Sequence, residues 1–166
     1  SGKQVYVMKE VAFNDVVKEV LNKFDFKPEH KVQIEDLTSN SFVNADEERI
    51  VQLLINLIGN AVKFSPNGGD IIIRFENCEN FVKVAIQDNG IGIPESEIPT
   101  LFQKFKRIDN SSRRKIGGTG LGLALSKEII SKHNGEIWIE SQESIGTTVY
   151  FTLPLFEQAH IGNLND

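Results

Sequence analysis

Hydrophobic residues recur along the chain with a helical period in three segments. Between residues 11 and 24, the apolar residues that return to one helix face are Val16, Val17, Val20, Leu21 and Phe24. A second helix is predicted over residues 47–64, with Asp46 in the N-cap position, and a third over residues 121–133, ended by Asn134-Gly135. A shorter helix is predicted near residues 97–105.

Other apolar positions alternate with polar ones, which is the period of a half-buried β-strand. Strands are predicted over residues 31–35, 70–76, 81–87, 136–140 and 147–153. Turn-forming residues separate several of these segments: Ser65 to Gly69, Asn77 to Asn80, and Ile145-Gly146. The order of helices and strands predicts one α/β domain with a mixed, largely antiparallel sheet.

The helix predicted over residues 47–64 carries a narrow polar stripe on an otherwise apolar surface. Arg49, Gln52, Asn56, Asn60 and Lys63 follow one another at spacings of three and four residues, so they share one face. A buried amide without a partner would cost about 1–3 kcal/mol. The stripe therefore indicates either a helix that lines a ligand cleft, with amide oxygens offered to a metal, or the thin solvent edge of an ordinary helix.

Two glycine-rich segments suggest loops that approach a ligand closely. Asp88 ends a predicted strand and is followed by Gly90 and Gly92, and such a carboxylate can accept a hydrogen bond from an exocyclic amine. The run from Gly117 to Gly122 opens a helix, whose first N–H groups bind phosphate, but it has neither Walker nor Rossmann spacing. An ordinary turn and a flexible hinge are the alternative interpretations.

A basic segment lies between these two loops. Its charged residues are Lys104, Lys106, Arg107, Arg113, Arg114 and Lys115, opposed over that span only by Asp109. A segment of this kind can close over a polyphosphate as a lid, and a solvated charged loop is the alternative. Phe102 and Phe105, three residues apart, are expected to anchor the lid to the core.

Composition narrows the classes of function. A length of 166 residues suits one domain with a core of its own, and a net charge of −5 argues against a general nucleic-acid-binding protein. The single cysteine, Cys78, excludes an internal disulfide, and no apolar run is long enough to span a membrane. Ser1-Gly2 is typical of the remnant of a cleaved tag, so a longer parent protein is expected.

Five motifs stand in an order that is diagnostic. They are NLIGNAVKFS from Asn56, DNGIGIP from Asp88, FQKFKR from Phe102, GTGLGLA from Gly118 and GTT from Gly146. Together they strongly resemble the successive boxes of the catalytic and ATP-binding domains of sensor histidine kinases, in the superfamily that also holds gyrase B, Hsp90 and MutL. The resemblance implies a two-layer α/β sandwich of the Bergerat type, with about five strands packed on about three helices and an ATP lid near residues 95–119.

The resemblance also implies a site for ATP. Asp88 would accept from the adenine amino group, Thr148 would lie near the base, and Gly90 and Gly92 would shape the pocket. The whole ATP-binding set implied in this way is Asn56, Asn60, Lys63, Asp88, Gly90, Gly92, Ile93, Phe105, Gly118, Thr119, Gly120, Leu121, Gly122 and Thr148.

A magnesium ion belongs to the same implied site. Asn60 would ligate Mg²⁺ through its amide oxygen, and Asn56 would support the metal or its waters. Lys63 would pair with phosphate, Arg107 is a candidate for the γ-phosphate, and the backbone of residues 120–122 would hold the phosphate chain. Asn60, Lys63 and Arg107 are thus the implied catalytic residues.

The reaction that the resemblance implies is transfer to histidine rather than hydrolysis. Hydrolytic relatives place a glutamate four residues before the metal-binding asparagine to activate water; here that position is Asn56, and an amide is no useful general base. None of the histidines, His30, His133 and His160, stands in an acceptor motif. His133 is expected to be an exposed residue at a helix end, favourable against the helix dipole.

The acceptor histidine is therefore expected on a separate dimerisation domain of the parent protein, with a response regulator as an indirect partner. The isolated domain is expected to be a cytoplasmic monomer that binds ATP and Mg²⁺ without efficient autophosphorylation and contacts neither nucleic acid nor membrane directly. The parent would be a sensor that can be membrane-anchored. The expected divisions are a scar and linker over residues 1–8, the catalytic domain over 9–156 and a tail over 157–166.

Two alternatives stay open. One is a protein-serine kinase of the anti-sigma type, which shares the same boxes but phosphorylates a hydroxyl group. The other is a non-catalytic nucleotide-sensing module.

Overall fold

The computed structural model describes residues 5–103 and 121–157. Within them lie α1 (Phe13–Lys23), α2 (Glu47–Lys63), α3 (Leu121–Lys132) and a 3₁₀ helix at Glu95–Thr100. The strands are β1 (Lys9–Ala12), β2 (His30–Asp36), β3 (Phe42–Ala45), β4 (Gly69–Cys78), β5 (Phe81–Asp88), β6 (Ile137–Gln142) and β7 (Gly146–Pro154). Among the described residues, no helix is long and apolar enough to cross a membrane.

Five strands form the main sheet in the order β2-β4-β5-β7-β6. β2 and β4 run parallel, with Val32 opposite Ile71, and the other three pairings are antiparallel. Buried residues alternate with more exposed ones over most of β4, β5 and β7, as expected for a sheet with one covered face. The prediction of a mixed, mostly antiparallel sheet of about five strands is confirmed.

A second, two-stranded sheet was not predicted. β1 pairs antiparallel with β3, and Val11 lies opposite Val43. Helix α1 therefore starts at Phe13 and not at residue 11, because the β-branched Val11 belongs to a strand. Strands of four residues carry too few positions to show a period, and only the distant partner reveals them.

The short helix predicted near residues 97–105 differs from the structure. A 3₁₀ helix occupies Glu95–Thr100 and is followed by a turn up to residue 103; residues 104 and 105 lie outside the described part. Pro99 explains the difference, because it has no N–H to donate and disfavours the α conformation in the residue before it.

The prediction that His133 is exposed is wrong. Its side chain is only 1% exposed and lies directly after the end of α3. Its Nε2 accepts from the main-chain N–H of Asp46 at 3.0 Å, and its Nδ1 bonds to the carbonyl of Ile129 at 2.7 Å. The favourable interaction with the dipole assumed a charged ring in water, whereas here the ring is buried between α3 and the start of α2.

The core lies between the helices and the covered face of the sheet. α2 contacts β5 and is flanked by α1 and α3, and α3 reaches β7. Phe13 lies at the centre, with its ring edge-on to Phe75 at 5.3 Å and to Phe151 at 6.2 Å. Such aromatic contacts add about 0.5–1.5 kcal/mol each beyond the burial of apolar area.

Phe13→Ala should reduce the free energy of unfolding by about 3–5 kcal/mol, because it empties a fully buried aromatic position. Phe42→Ala is the matched control: this ring is 48% exposed, and the change should cost less than about 1 kcal/mol. Urea denaturation measures both. Equal losses in the two variants would contradict the assignment of Phe13 to the centre of the core.

Candidate nucleotide-binding site

Helix α2 begins and ends at residues that the sequence marks. The carboxylate of Asp46 caps its first turn by accepting from the N–H of Arg49 at 3.2 Å. The core-facing residues of α2, all buried, are Ile50, Leu53, Leu54, Leu57, Ile58 and Ala61. The N-cap prediction is confirmed, and α2 is held rigidly enough to present its other face to a site.

The uncovered face of α2 is wider than the predicted polar stripe. Ile55, which belongs to the apolar surface beside the stripe, is 48% exposed. Asn56 and Asn60 are half-buried, whereas Lys63 is exposed. Asn60 lines a cavity, and Asn56 lies one turn earlier on the same face.

Asp88 ends β5 with a buried carboxylate. Its Oδ1 accepts from the N–H of Gly90 at 2.9 Å, and the N–H of Thr147 is a second donor. Burial raises the pKa of Asp88 to about 6, although the two N–H donors lower it in part. The carboxylate of Asp88 can therefore accept further hydrogen bonds in an apolar setting. A strongly shifted pKa of this kind is common in functional sites.

One cavity brings Asn60 and Asp88 together. It opens between α2, the ends of β5 and β7, and the first turn of α3. Its lining residues are Leu57, Asn60, Ala61, Phe64, Ile86, Asp88, Ile93, Leu123, Ile139, Thr147 and Val149. The wall is mostly apolar with a few polar atoms, the usual composition of a site for a flat organic group.

The glycines after Asp88 are required by close backbone approaches. A Cβ on Gly90 would lie 1.8 Å from the carbonyl oxygen of Phe64, and the N–H of Ile91 donates to that same oxygen at 2.9 Å. Gly92 has φ +71°, and a Cβ there would lie 2.1 Å from the carbonyl oxygen of Gln142. Both glycines thus shape the cavity by letting the loop lie against the end of α2 and the β6–β7 turn.

The structure puts Thr147, and not the predicted Thr148, in the cavity. Side chains alternate along β7, so Thr148 lies on the opposite face, where it pairs with Gln87 and Glu140. The Oγ1 of Thr147 shares a hydrogen bond of 2.7 Å with the Oγ of Ser141, which also accepts from the N–H of Ile93. The alternation of β7 places Thr147 on the buried face of the strand, but its pairing with Asp88 is what brings it to the cavity.

The structure describes only some of the remaining residues that were predicted to bind ATP. Leu121 and Gly122 form the first residues of α3, and Leu123 lines the cavity, so the N-terminus of α3 points to the same place. Phe105, Arg107, Gly118, Thr119 and Gly120 lie outside the described residues, as does most of the predicted lid. The site thus combines a buried carboxylate, an amide and a helix N-terminus, which suit an amine, a hard cation and a phosphate respectively.

Comparison with known proteins gives concordant results. Residues 45–157 match the family described as histidine kinase-, DNA gyrase B- and HSP90-like ATPases. The sensor histidine kinase WalK of Bacillus subtilis is 39% identical over 143 residues, which cover 84% of this chain and 23% of WalK. The chain thus spans about a quarter of the length of this relative.

Two solved histidine kinase structures are similar to this chain over most of its length. The catalytic domain of the histidine kinase ThkA is 32% identical with a TM-score of 0.73, and the match covers 89% of this chain and 95% of that one. The mycobacterial sensor histidine kinase MprB is 26% identical with a TM-score of 0.75, over 89% of this chain and 97% of that one.

Asp88→Asn should preserve the fold and remove one pH-dependent part of its stability. The pKa of Asp88 is about 6 when folded, against 3.8 as the ordinary value. The folded state thus binds this proton more tightly, so the stability it contributes is present below about pH 4 and lost as the pH rises through about 6. Relative to the wild type, the variant should therefore gain on the order of 2–3 kcal/mol between about pH 4 and pH 7.

Urea unfolding across this pH range measures the difference between the two proteins. Asp70→Asn, which removes an exposed carboxylate from β4, controls for the loss of one negative charge. A difference between Asp88→Asn and the wild type that stays constant with pH would contradict the raised pKa.

Proposed function

The chain belongs to the family of histidine kinase-, DNA gyrase B- and HSP90-like ATPases, and we propose that it binds ATP with Mg²⁺ in the cavity described above. Its relatives include sensor histidine kinases, and we propose that it transfers the γ-phosphate of ATP to a histidine. The observation that carries this proposal is the convergence of Asn60 and Asp88 on one cavity. These residues come from different elements, α2 and β5, and only the tertiary structure brings them together.

In this proposal the apolar wall of the cavity receives the adenine. The carboxylate of Asp88 accepts from its exocyclic amino group, and the raised pKa near 6 still leaves the group charged at neutral pH. Thr147 pairs with Asp88 and lines the same cavity, so we assign to Thr147 the place near the base that was expected for Thr148.

Magnesium fits the donors that the cavity offers. Among the described residues no three His, Cys, Asp or Glu side chains converge as a metal site. Mg²⁺ is commonly held by few protein ligands together with nucleotide phosphates and water. Asn60 would supply an amide oxygen, with Asn56 one turn away supporting the metal waters, and the bound ion would neutralise phosphate charge.

The phosphate chain would lie toward α3. The first N–H groups of this helix have no partners within the helix and carry partial positive charge, which favours an anion. Leu121 and Gly122 open α3, and Lys63 at the end of α2 is exposed and free to reach outward. Arg107 stays a candidate for the γ-phosphate within the proposed lid over residues 95–119.

Transfer is favoured over hydrolysis by what stands one turn before Asn60. Asn56 is half-buried on the face of α2 that leads to the cavity, and an amide cannot take a proton from water as a carboxylate can. Positioning and charge neutralisation are sufficient for phosphoryl transfer to a nucleophile that another domain presents.

The acceptor is proposed to be a histidine on a dimerisation domain of a longer, two-component sensor protein. Of the histidines in the described residues, His30 bonds to the carbonyl of Ser65 and His133 is buried at the end of α3. We propose that residues 9–156 act as a cytoplasmic, monomeric catalytic unit of a sensor that can be membrane-anchored, with a response regulator as the indirect partner.

A non-hydrolysable ATP analogue should bind the chain, and more tightly with Mg²⁺ than without it. Asn60→Ala should weaken binding at least about tenfold in Mg²⁺ and change it little without the metal, because loss of about 1.4 kcal/mol is tenfold in affinity. Asn22→Ala on the exposed face of α1 is the matched control. Calorimetric titration measures these affinities, and absence of nucleotide binding to the wild type would refute the proposal.

Labelled ATP should leave no stable label on the isolated chain. When the histidine-bearing domain of the parent protein is added, label should appear there and be lost in acid, as expected for phosphohistidine. An acid-stable label would favour the protein-serine kinase alternative. Nucleotide binding without transfer to any acceptor would favour the non-catalytic sensing module, and stable label on the isolated chain would contradict the proposed division of roles.

A further inference from the structure

The residues that precede β1 are attached to the body of the domain. Exposure alternates along them: Val5 and Val7 are 80% and 66% exposed, whereas Tyr6 and Met8 are half-buried. The N–H of Val7 donates to Oδ2 of Asp46 at 2.8 Å. Tyr6 and the bond from Val7 to Asp46 thus attach the segment to the domain, while its valine side chains face outward.

Tyr6 contacts two helices at once. Its ring is edge-on to the ring of His133 with 5.7 Å between centroids, and the guanidinium of Arg49 lies over it at 4.9 Å. Arg49 belongs to the first turn of α2, and His133 follows the last residue of α3. Tyr6 thus bridges the start of one helix and the end of the other.

Asp46 connects the same three elements through its polar groups. Oδ1 caps α2, Oδ2 holds the N–H of Val7, and the main-chain N–H donates to His133. Burial alone would raise the pKa of Asp46, but the two N–H donors and the charge of Arg49 outweigh it and lower the pKa. The carboxylate is therefore charged at neutral pH and supports all three elements together.

His133 completes the junction as a neutral ring. The carbonyl of Ile129 can only accept, so Nδ1 carries the proton, and Nε2 is free to accept from Asp46. Burial lowers the pKa of His133, although the Ile129 carbonyl and the Asp46 carboxylate raise it in part. Both ring nitrogens are satisfied, and the ring ties the last turn of α3 to the cap of α2.

This junction lies at the far end of the helix pair from the nucleotide cavity. The start of α2 meets the end of α3 at Asp46 and His133, whereas Asn60 near the end of α2 and Leu123 near the start of α3 line the cavity. The helices are therefore antiparallel neighbours, and about 14 residues of α2 separate the two ends, or roughly 21 Å. Because α2 and α3 pack against each other between these two ends, their spacing at one end influences their spacing at the other.

We propose that Tyr6 and His133 are positioning residues that clamp α2 against α3, so that attachment of the N-terminal segment and nucleotide binding in the cavity favour each other. The polypeptide that leads into residue 5 would then influence the site by holding or withdrawing Tyr6. This inference rests on the proposed nucleotide function and adds a route by which the preceding part of the parent protein regulates it.

Tyr6→Ala should weaken binding of the non-hydrolysable ATP analogue with Mg²⁺ about fivefold or more, the usual range for coupling between distant sites. Tyr6→Phe keeps the ring edge-on to His133 and beneath Arg49 and should restore most of the affinity, and Val5→Ala, at an exposed neighbour, should match the wild type. Because coupling is reciprocal, saturating nucleotide should also slow hydrogen exchange at the amide of Val7 in the wild-type chain by a similar factor.

A second measurement needs no nucleotide. In Tyr6→Ala, exchange should speed up at the amide of Phe64, which bonds to the carbonyl of Asn60 at 2.9 Å, as well as at the junction itself. Val82→Ala, a buried change in β5 away from both ends of the helix pair, controls for a general loss of stability.

The outcomes separate the two proposals. Exchange that changes only at residues 5–9 and 46–50, or that changes equally in Val82→Ala, would overturn the positioning role whether or not nucleotide binds. Unchanged affinity in Tyr6→Ala would do the same. Absence of nucleotide binding to the wild type would refute the proposed function, while the exchange at Phe64 would still decide whether the two helix ends are coupled.

Discussion

The burial of one carboxylate, that of Asp88, constrains most of the surrounding structure. A charged group in an apolar wall is tolerated only when it is well hydrogen-bonded, and here the donors are backbone N–H groups on either side of it. The N–H of Gly90 belongs to the loop directly after β5, and that of Thr147 to the neighbouring strand β7. The same loop packs closely against the end of α2 and the β6–β7 turn. Those approaches leave no room for side chains at Gly90 and Gly92. The glycines thus let the loop that satisfies the carboxylate pack closely against both of its neighbours.

The antiparallel pair of α2 and α3 is the second feature on which the cavity depends. One end of the pair opens onto the cavity, and the other is closed by polar groups that satisfy one another. Asp46 acts there both as a helix cap and as an anchor for the segment before β1. An N-cap residue usually contacts a single helix, whereas Asp46 links three elements. The proposed coupling between the N-terminal segment and the nucleotide depends on this linkage.

Local pattern was sufficient for much of the fold. The period of α2, its cap at Asp46 and the strands of the main sheet were predicted correctly, because each is encoded within a few neighbouring residues. Asn60 and Asp88, which the sequence singled out as candidate ligand-binding residues, line one cavity in the structure. Polar residues in an apolar helix, and glycines after a carboxylate at the end of a strand, depart from the usual local pattern. Such departures can be recognised from the sequence without knowledge of distant contacts.

The sequence by itself determined the main elements, the order of the motifs and the family to which the chain belongs. Only the tertiary structure decided that β1 pairs with β3, that His133 is buried and that Thr147 instead of Thr148 faces the cavity. Each of these depends on a partner far away in the chain: Val43 for Val11, Asp46 for His133, and Asp88 for Thr147. Periodicity records which side of an element faces inward, but it does not record what lies opposite, and that pairing fixes these three features.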